Sequence, residues 1–565
     1  MKKILLGLII TYAANICGQT VSGTLSERVY LQTDKQFYLA GELVYLKAFT
    51  VTSEIKPLSF SKIVYVELLD ETKSLGQVKI ALSYGLGESW MELPIDLPTG
   101  HYRLIAYTRF MRNEGESVFF EKIIGVVNTF RANQIRKAPM EPSQRTSETY
   151  VHQTCTVQTD KKLYATREKG SLKLDGLPED IHTLSVSIAG QAPVEVDGTN
   201  EIRLWEKQIL EQNTRNLETV TQNLKFLPEY EGHIITGKIV PLQVSSNTES
   251  EVLTPLLSFP GEKFYIYEGQ KDDANNVLFY TTDITGVKEI ATIAYSLTDN
   301  KFRIDLQSPF IEQYAHKPLA ALRVDSTHFT YLLKRAVSLQ ALYAYVKDSL
   351  ALDRLSDIRF YREASKTYIL DEWTRFIVMG ELVIEFISEL QFRRNNRQKR
   401  ELMMSVFRHD FVDWVRPLVV LDGIPIFDHE IIYQYNPLLV ERINIYSDEY
   451  IYEGMRFDGI VEFLTYERNC PSLPIDPSMQ IVSYEGTQVP RRLYTPDYSN
   501  EKDKNSRLPD YRHTLLWEPM LQTNGLSTIE IPFYTSDFTG EFLVTVEGLT
   551  KSGEIIHATA YFETR

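Results

Sequence analysis

The sequence predicts a mainly β protein in which tandem β-sandwiches flank a small α+β domain. Three observations predict this class. Short runs rich in Val, Ile and Tyr mix apolar and polar residues at strand spacing and are followed by Gly, Pro or Asn turns. The chain contains 33 Tyr and 27 Phe, a high aromatic content that favours strands. Its 565 residues exceed what one hydrophobic core holds, so several domains are expected.

Two sandwiches are predicted in the first part of the chain. The first covers residues 25–129, and the polar, Pro-containing residues 130–149 form a linker. The second covers residues 150–225 and includes a helical excursion at Leu204–Leu217. The motif Gln-Thr-Asp-Lys of Gln32–Lys35, followed by Tyr38 and Glu42, recurs with the same spacing as Gln158–Lys161, Tyr164 and Glu168. This repeat indicates that the two sandwiches are related.

The start of the first sandwich resembles the second macroglobulin-type domain of the α2-macroglobulin family. The matching residues are Arg28–Lys35, Phe37-Tyr38 and Gly41-Glu42, whereas two prolines of the family pattern are replaced by Gln36 and Ala40. The resemblance implies immunoglobulin/macroglobulin-like sandwiches. The protease-trap chemistry of that family depends on a thioester in a Cys-Gly-Glu-Gln motif. Neither Cys155-Thr-Val nor Cys470-Pro-Ser contains it, so the thioester is absent.

Further domains are predicted along the rest of the chain. Residues 229–335, which open with the strand-like Glu229–Ile239, resemble a carboxypeptidase-regulatory-type β domain. Residues 336–378 are predicted to be a helical connector, because helical periodicity appears in three runs: Ala336–Tyr345, Leu350–Ile358 and Leu370–Leu390. Strand patterns return from Met479, so residues 476–565 are predicted to form a separate C-terminal sandwich.

Residues 379–468 are predicted to be the small α+β domain. Its strands are Pro417–Leu421, Val440–Tyr446 and Ile460–Leu464, with turn signals at Asp422-Gly423 and Asp458-Gly459. The order of these pieces, with Tyr435–Ile445, Tyr452-Glu453-Gly454 and Gly459–Val461, resembles the plug domain of TonB-dependent outer-membrane receptors. Glu453 interrupts the Tyr-Gly of that family. Only about 100 residues follow Tyr466, too few for a receptor barrel, so a transporter is excluded.

The N-terminus predicts export. Met1–Gly18 has a charged start and a short apolar core and is interpreted as a signal peptide, with a lipidated Cys17 as the alternative. No other apolar run is long enough to span a membrane, and the best one, Phe376–Ile387, contains Glu381 and Glu385. Together with the plug-like segment, this implies the periplasm or outer membrane of a Gram-negative, Bacteroidetes-type bacterium.

The sequence indicates no catalytic, cofactor-binding or metal-binding residue, so an enzyme is not predicted. His409-Asp410 with Asp413 and Trp414 is the only His/Asp group with a catalytic look, and because no nucleophile motif accompanies it, it is interpreted as structural or surface. The basic run Arg393–Arg400 is interpreted as a solvated loop or as a docking patch for an acidic partner. A disulfide between Cys155 and Cys470 is not favoured, because they lie in different predicted domains. The net charge of −15 argues against nucleic acid as a partner.

These observations predict a non-enzymatic, exported interaction scaffold, or an accessory subunit of an outer-membrane, TonB-receptor-related complex, whose partners are envelope proteins. One alternative is a carbohydrate-binding protein or enzyme with a site at a sandwich rim, where Trp and Tyr side chains would be stacking platforms. The sequence indicates no cluster of tryptophans, so core packing is the favoured interpretation of the five scattered ones, Trp90, Trp205, Trp373, Trp414 and Trp517. Another alternative is a macroglobulin-like, protease-interacting protein without the thioester.

Overall fold

The computed structural model describes residues 26–131, 154–196, 202–213, 224–242, 253–261, 265–282, 284–296, 301–345, 349–350, 361–408, 411–452, 455–474 and 477–565. Two compact units are present. Unit 1 comprises Met1–Tyr230, Glu312–Leu352 and Thr487–Arg565, and unit 2 comprises Glu231–Ile311 and Asp353–Gly486. The predicted signal peptide and most of the predicted linker lie outside the described residues. The predicted mainly β class is confirmed.

The strands are numbered here in chain order. The first group is β1 Glu27–Thr33, β2 Phe37–Leu39, β3 Leu43–Thr52, β4 Ile63–Leu69, β5 Ser74–Ala81, β6 Leu86–Glu92, β7 Gly100–Tyr107, β8 Phe120–Val127, β9 Thr156–Thr159, β10 Leu163–Tyr164, β11 Lys169–Asp175 and β12 Ile181–Gly190. The second group is β13 Ile234–Pro241, β14 Leu253–Phe259, β15 Tyr265–Glu268, β16 Gln270–Lys271, β17 Asn276–Tyr280, β18 Val287–Ser296, β19 Phe302–Leu306 and β20 Ser349–Leu350.

The remaining strands are β21 Lys366–Ile369, β22 Leu390–Arg394, β23 Arg400–Arg408, β24 Phe411–Val415, β25 Leu418–Leu421, β26 Ile424–Pro425, β27 Val440–Tyr446, β28 Tyr450–Tyr452, β29 Met455–Phe457, β30 Ile460–Thr465, β31 Met479–Glu485, β32 Arg491–Arg492, β33 Thr514–Glu518, β34 Thr528–Tyr534, β35 Gly540–Thr550 and β36 Ile555–Thr564. The α-helices are α1 Ile202–Asn213, α2 Phe329–Tyr345, α3 Met379–Phe386, α4 His429–Gln434 and α5 Glu501–Lys504. Single 3₁₀ turns occur at Phe110–Asn113, Glu116–Val118, Ser326–His328, Leu370–Glu372 and Pro437–Leu439.

Unit 1 contains two sandwiches with the same strand order. In the first, a sheet β1-β3-β6 faces a sheet β2-β8-β7-β4-β5. In the second, the corresponding sheets are β9-β11-β34 and β10-β36-β35-β12-β33. In both, the short strand after the repeated motif pairs in parallel with the last strand. The repeat noticed in the sequence is therefore a repeat of the whole topology.

The repeated motif makes the same hydrogen bonds in both sandwiches. The Tyr38 hydroxyl donates to Asp34 over 2.8 Å, and the Tyr164 hydroxyl donates to Asp160 over 2.6 Å. The aspartate also accepts a backbone N–H from the following long strand, Tyr45 in the first copy and Ser171 in the second. The motif thus closes the turn between two strands, which is a structural role.

The second sandwich is split in the sequence, which corrects the predicted boundaries. Residues 476–565 do not form a sandwich of their own, because β33 and β35 pair with the two sides of β12, and β34 pairs with β11. Strand β31, at the start of that predicted range, joins β18 in unit 2. All of unit 2 is therefore inserted between β12 and β33, at the place where the first sandwich has the short β4–β5 turn.

Unit 2 contains an eight-stranded sheet and the predicted α+β segment. The eight-stranded sheet has the order β15-β14-β18-β19-β13-β17-β16, with β31 also paired to β18. A five-stranded sheet follows the order β21-β27-β30-β25-β26, in which β25 and β30 are parallel. The three strands predicted at Pro417–Leu421, Val440–Tyr446 and Ile460–Leu464 are β25, β27 and β30. They share a core with α3 and α4 that includes Leu382, Val383 and Ile432.

The predicted helices are found in part. Helix α1 covers most of Leu204–Leu217, and Trp205 on it packs 5.0 Å from the Tyr30 ring and 5.7 Å from the Phe49 ring. Ala336–Tyr345 lies within α2. Leu350–Ile358 lies almost entirely outside the described residues. In Leu370–Leu390, only α3 is helical, because the chain then enters β22, whose partner β23 comes later in the sequence.

Helix α2 is joined to the first sandwich by a buried ion pair between Arg335 and Glu42, whose side chains are 1% and 7% exposed. Lys35 lies 3.6 Å from the same carboxylate. Replacing Arg335 with Met is expected to lower the free energy of unfolding by about 3 kcal/mol, because it leaves a buried carboxylate without its main partner. Urea unfolding measures this. The double variant Glu42→Gln/Arg335→Met should recover most of the loss, and equal loss in both variants would contradict the ion-pair explanation.

Candidate interaction surface

The residues considered for catalysis do not assemble into a site in the described part of the chain. His409 and Asp410 lie outside the described residues, whereas Asp413 and Trp414 lie on β24. Among the described residues, no group of three or more His, Cys, Asp or Glu side chains could hold a metal ion. No described helix is both long and apolar enough to cross a membrane.

Both described cysteines are buried free thiols. Cys155 lies in the core of the second sandwich and Cys470 in unit 2. Burial raises the pKa of Cys155 to about 11, and burial together with the nearby Asp422 carboxylate raises the pKa of Cys470 further. Because the thiolate is the reactive form, these thiols have a structural packing role at neutral pH.

The three-stranded sheet β22-β23-β24 carries exposed apolar side chains beside the basic run Arg393–Arg400. On β23, Leu402, Met404 and Val406 point into the core. The alternate residue Phe407 is 75% exposed, and its cross-strand neighbour Val412 on β24 is 60% exposed. Since side chains alternate across a strand, one face of β23 is core, and the other face carries half-buried residues and the exposed pair Phe407 and Val412.

Cations border this open face. The basic run predicted as a solvated loop forms the end of β22, a tight turn and the start of β23. The turn is ordered by Asn395, whose side chain accepts the backbone N–H groups of Arg397 and Lys399 at 2.9 and 3.1 Å. The Arg393 guanidinium lies 5.1 Å from the centre of the Trp414 ring, a cation–π distance. The run is thus a structured, positively charged hairpin beside an aromatic face.

Strand β24 is also the edge of its sheet, so one side of its backbone has no strand partner within the described sheet. Phe411 on this edge strand is 57% exposed. Proteins generally protect edge strands with charges or short length, because an apolar edge pairs readily with another chain. The combination of an open edge, exposed Phe and Val side chains and flanking arginines suits binding of an extended or sheet-forming acidic partner. We call residues 391–408 and 411–415 the β22–β24 surface.

A second concave feature lies within unit 1, between its two sandwiches. This inter-sandwich groove has a volume of about 550 Å³ and polar walls that include Gln32, Asp34, Lys122, Glu547 and His557. The Tyr30 hydroxyl donates to Glu547 over 2.9 Å across the junction. Burial lowers the pKa of Lys122, against the opposing influence of Glu547 and Asp34. The groove residues belong to the contact that holds the two sandwiches together.

The five tryptophans do not converge on one binding groove. Trp205 and Trp517 are buried, and the Trp90 indole donates to the Val489 carbonyl over 3.0 Å. Trp373 packs against Phe386, with the ring centres 5.0 Å apart, and Trp414 lies beside Arg393. Core packing, the favoured interpretation, accounts for Trp205 and Trp517, whereas Trp90 and Trp414 are half-buried and Trp373 is exposed.

Comparisons with known proteins give only distant structural likenesses. No family model and no curated protein matches the sequence. Similar solved structures include the Salmonella α2-macroglobulin mutant Y1175G, at 10% identity and a TM-score of 0.23, and native E. coli α2-macroglobulin, at 11% and 0.23. Each alignment covers 97% of this chain but 40% of the solved chain. The E. coli adhesin FdeC matches at 10% identity and a TM-score of 0.15, over 50% of this chain and 65% of that one.

This chain thus spans about two-fifths of the α2-macroglobulins that it resembles. No comparison tests the plug-like or carboxypeptidase-regulatory-like interpretations, which stay predictions. The two sandwiches are established by their own strand pairing, and the chain is mainly β.

Proposed function

We propose that this protein is a non-enzymatic, exported scaffold of the bacterial cell envelope that binds an acidic protein partner through the β22–β24 surface. The observation that carries the proposal is the exposed pair Phe407 and Val412 on a sheet with a basic rim. The outer strand of this sheet, β24, has one backbone edge without a strand partner in the described sheet. Burial of such side chains is worth about 25 cal/mol per Å² of apolar surface, so a partner would be held mainly by this patch.

Charge complementarity supports an acidic partner. Arg393 and Arg394 end β22, and Arg394 is the cross-strand neighbour of Arg400 on β23. The whole chain carries a net charge of −15, so an acidic partner would be repelled by most of the chain and attracted by this basic surface, which would orient it. The predicted signal peptide and the plug-like order of β25, β27 and β30 support a place in the envelope and an accessory role in an outer-membrane, TonB-receptor-related complex.

Site-specific photo-crosslinking in the native bacterium tests this function. A photo-reactive amino acid at Phe407 is expected to give a discrete adduct with an envelope protein, because this side chain lies at the centre of the proposed contact. The double variant Arg393→Glu/Arg394→Glu in the same chain should reduce the adduct at least about tenfold, since it reverses the rim charge. Mass spectrometry of the adduct identifies the partner.

The matched control is Ile377, which is 86% exposed in the same unit but lies outside the three strands of the β22–β24 surface. The photo-reactive group at Ile377 should give no such adduct. Three results would each contradict the proposal: equal adduct yields from both positions, an adduct yield that the charge reversal does not change, or the recovery of no envelope protein.

A further inference from the structure

The two sandwiches of unit 1 repeat a set of polar surface residues as well as a fold. In the first copy these are Gln32, Asp34, Lys35 and Lys47, with Phe37 beside them. In the second copy the residues 126 positions later are Gln158, Asp160, Lys161 and Lys173, with Leu163 in the place of Phe37. Corresponding residues lie on corresponding strands or in the same turn. We call these sets the first and second motif surfaces.

The first motif surface is covered by the second sandwich. The Asp34 carboxylate accepts the Thr514 hydroxyl over 2.7 Å, and the Asp34 carbonyl accepts the Ser187 hydroxyl over 2.7 Å. The Gln32 side chain accepts a hydrogen bond from the Ser185 hydroxyl. The occupant therefore presents hydroxyl groups from the strands of a β-sandwich.

No described residue covers the second motif surface as the second sandwich covers the first. Lys47 is 1% exposed in the first copy, whereas the side chain of Lys173 is 48% exposed in the second. Phe37 is 4% exposed and Leu163 is 49% exposed. The side chain of Lys161 is 50% exposed. The same chemistry that is buried in the first copy thus faces solvent in the second.

Asp160 makes the hydrogen bonds that the motif makes within its own sandwich, but it lacks the hydrogen bond that Asp34 makes to a second sandwich. Its Oδ1 accepts the Tyr164 hydroxyl and the Ser171 backbone N–H, as Asp34 does with Tyr38 and Tyr45. Asp34 uses its Oδ2 for Thr514 and Lys35. No hydrogen bond to the Oδ2 of Asp160 is found within the described residues.

We propose that the second motif surface is a docking site for a β-sandwich domain of a partner protein. The face that fits presents strand hydroxyls to Gln158 and Asp160, as the second sandwich presents Ser185, Ser187 and Thr514 to the first. It also presents a carboxylate to Lys173, as Glu547 acts on Lys47. Leu163 supplies the apolar contact that Phe37 supplies in the first copy. The partner domain would therefore make with the second sandwich the same contact that the second sandwich makes with the first.

Neither sandwich of unit 1, as far as the structure describes it, offers such a face in a second copy of this chain. The face of the second sandwich is already occupied by the first motif surface. By strand register, Ser185, Ser187 and Glu547 correspond to Tyr65, Glu67 and Tyr107 in the first sandwich. Tyr65 and Tyr107 are 0% exposed, with the Tyr65 hydroxyl bonded to Glu229 and the Tyr107 hydroxyl bonded to Glu67. The occupant is therefore a domain of a different protein.

Photo-crosslinking of the full chain in its own bacterium tests the proposal, with the photo-reactive amino acid at Leu163 and a control at Leu526, which is 58% exposed in the same sandwich. We expect an adduct from position 163 alone, with the crosslinked peptide of the partner lying in a strand of a β-sandwich domain. The variant Lys161→Glu/Lys173→Glu should lower its yield at least tenfold. Both lysines are exposed, so an unchanged melting temperature checks that the fold is intact.

Three results would overturn the proposal: a crosslinked peptide from this chain itself, a peptide outside a β-sandwich, or no adduct specific to position 163. An adduct insensitive to the lysine reversal would also overturn it, because the carboxylate contact would then be absent. The β22–β24 surface does not enter this experiment, so the two proposals fail or stand separately.

Discussion

Replacing Asp422 with Ala is expected to lower the free energy of unfolding of unit 2 by about 4 kcal/mol. The Asp422 side chain is fully buried and accepts the backbone N–H groups of Thr465 and Cys470 over 2.7 and 2.8 Å, together with the Thr465 hydroxyl. Removal of the carboxylate leaves these buried donors unpaired. Asp422 also has a φ of 44°, which Ala adopts less readily than Asp. Urea unfolding followed by circular dichroism measures the loss.

Asp458→Ala is the matched control, because Asp458-Gly459 is the other Asp-Gly turn predicted in this domain. The Asp458 side chain is 40% exposed and lies 3.4 Å from Arg456, an exposed pair whose loss costs at most about 1 kcal/mol. A comparable loss of stability in the two variants would contradict the role assigned to the buried carboxylate of Asp422.

Replacing Lys47 with Met is expected to stabilise unit 1 and to flatten its dependence on pH. Lys47 is 1% exposed, and its ammonium nitrogen has no hydrogen-bond partner within the described residues. Burial lowers its pKa to about 7, while Glu547 and Glu88 oppose this shift. A shift of this size corresponds to about 5 kcal/mol, so the variant should gain up to that amount at pH 7. Met fills the same space without the cost of burying a charge.

The sign of the pH dependence follows from proton uptake. Between pH 7 and about 10 the unfolded chain binds the Lys47 proton and the folded protein does not, so unfolding takes up a proton in this range. The free energy of unfolding therefore rises with pH, by up to about 1.4 kcal/mol per pH unit from this residue. Below pH 7 both states bind the proton and the contribution to the slope disappears.

Urea unfolding at pH 7, 8 and 9 should show this slope in the unsubstituted protein and its reduction in Lys47→Met. The matched control is Lys173→Met, the same position in the second sandwich, where the side chain is 48% exposed. It should leave both the slope and the stability at pH 7 nearly unchanged. If the two variants behave alike, burial of Lys47 is not the source of the pH dependence.

Local patterns in the sequence predicted the elements well. The apolar runs at Val440–Tyr446 and Ile460–Leu464 coincide with β27 and β30 to within one residue, because strand alternation and Asp-Gly turns are local signals. The repeat of Gln32–Lys35 at Gln158–Lys161 predicted two related sandwiches. Their equal strand orders and matching Tyr–Asp hydrogen bonds agree with it.

Of the β22–β24 surface, the sequence predicted only the positive charges. The run Arg393–Arg400 was visible as a basic segment, but the exposed side chains of Phe407 and Val412 could equally have been core residues. Their exposure depends on which face of β23 meets α3, α4 and the five-stranded sheet, and that depends on packing between segments distant in sequence. Likewise, Lys47 and Lys173 are the same residue type in the same local pattern, and only the contact between the sandwiches buries one of them.

The sequence by itself determined the mainly β class, the internal repeat, the turns at Asp422 and Gly423, and the absence of a thioester motif. These features depend on residue type and short spacing. The tertiary structure alone decided that the second sandwich is split, that β33–β36 complete it and that all of unit 2 lies within that interruption. The physical reason is that a strand's hydrogen-bonding groups are satisfied equally well by any strand of suitable register. The partner of β12 is therefore selected by burial of the shared core, which no local pattern encodes.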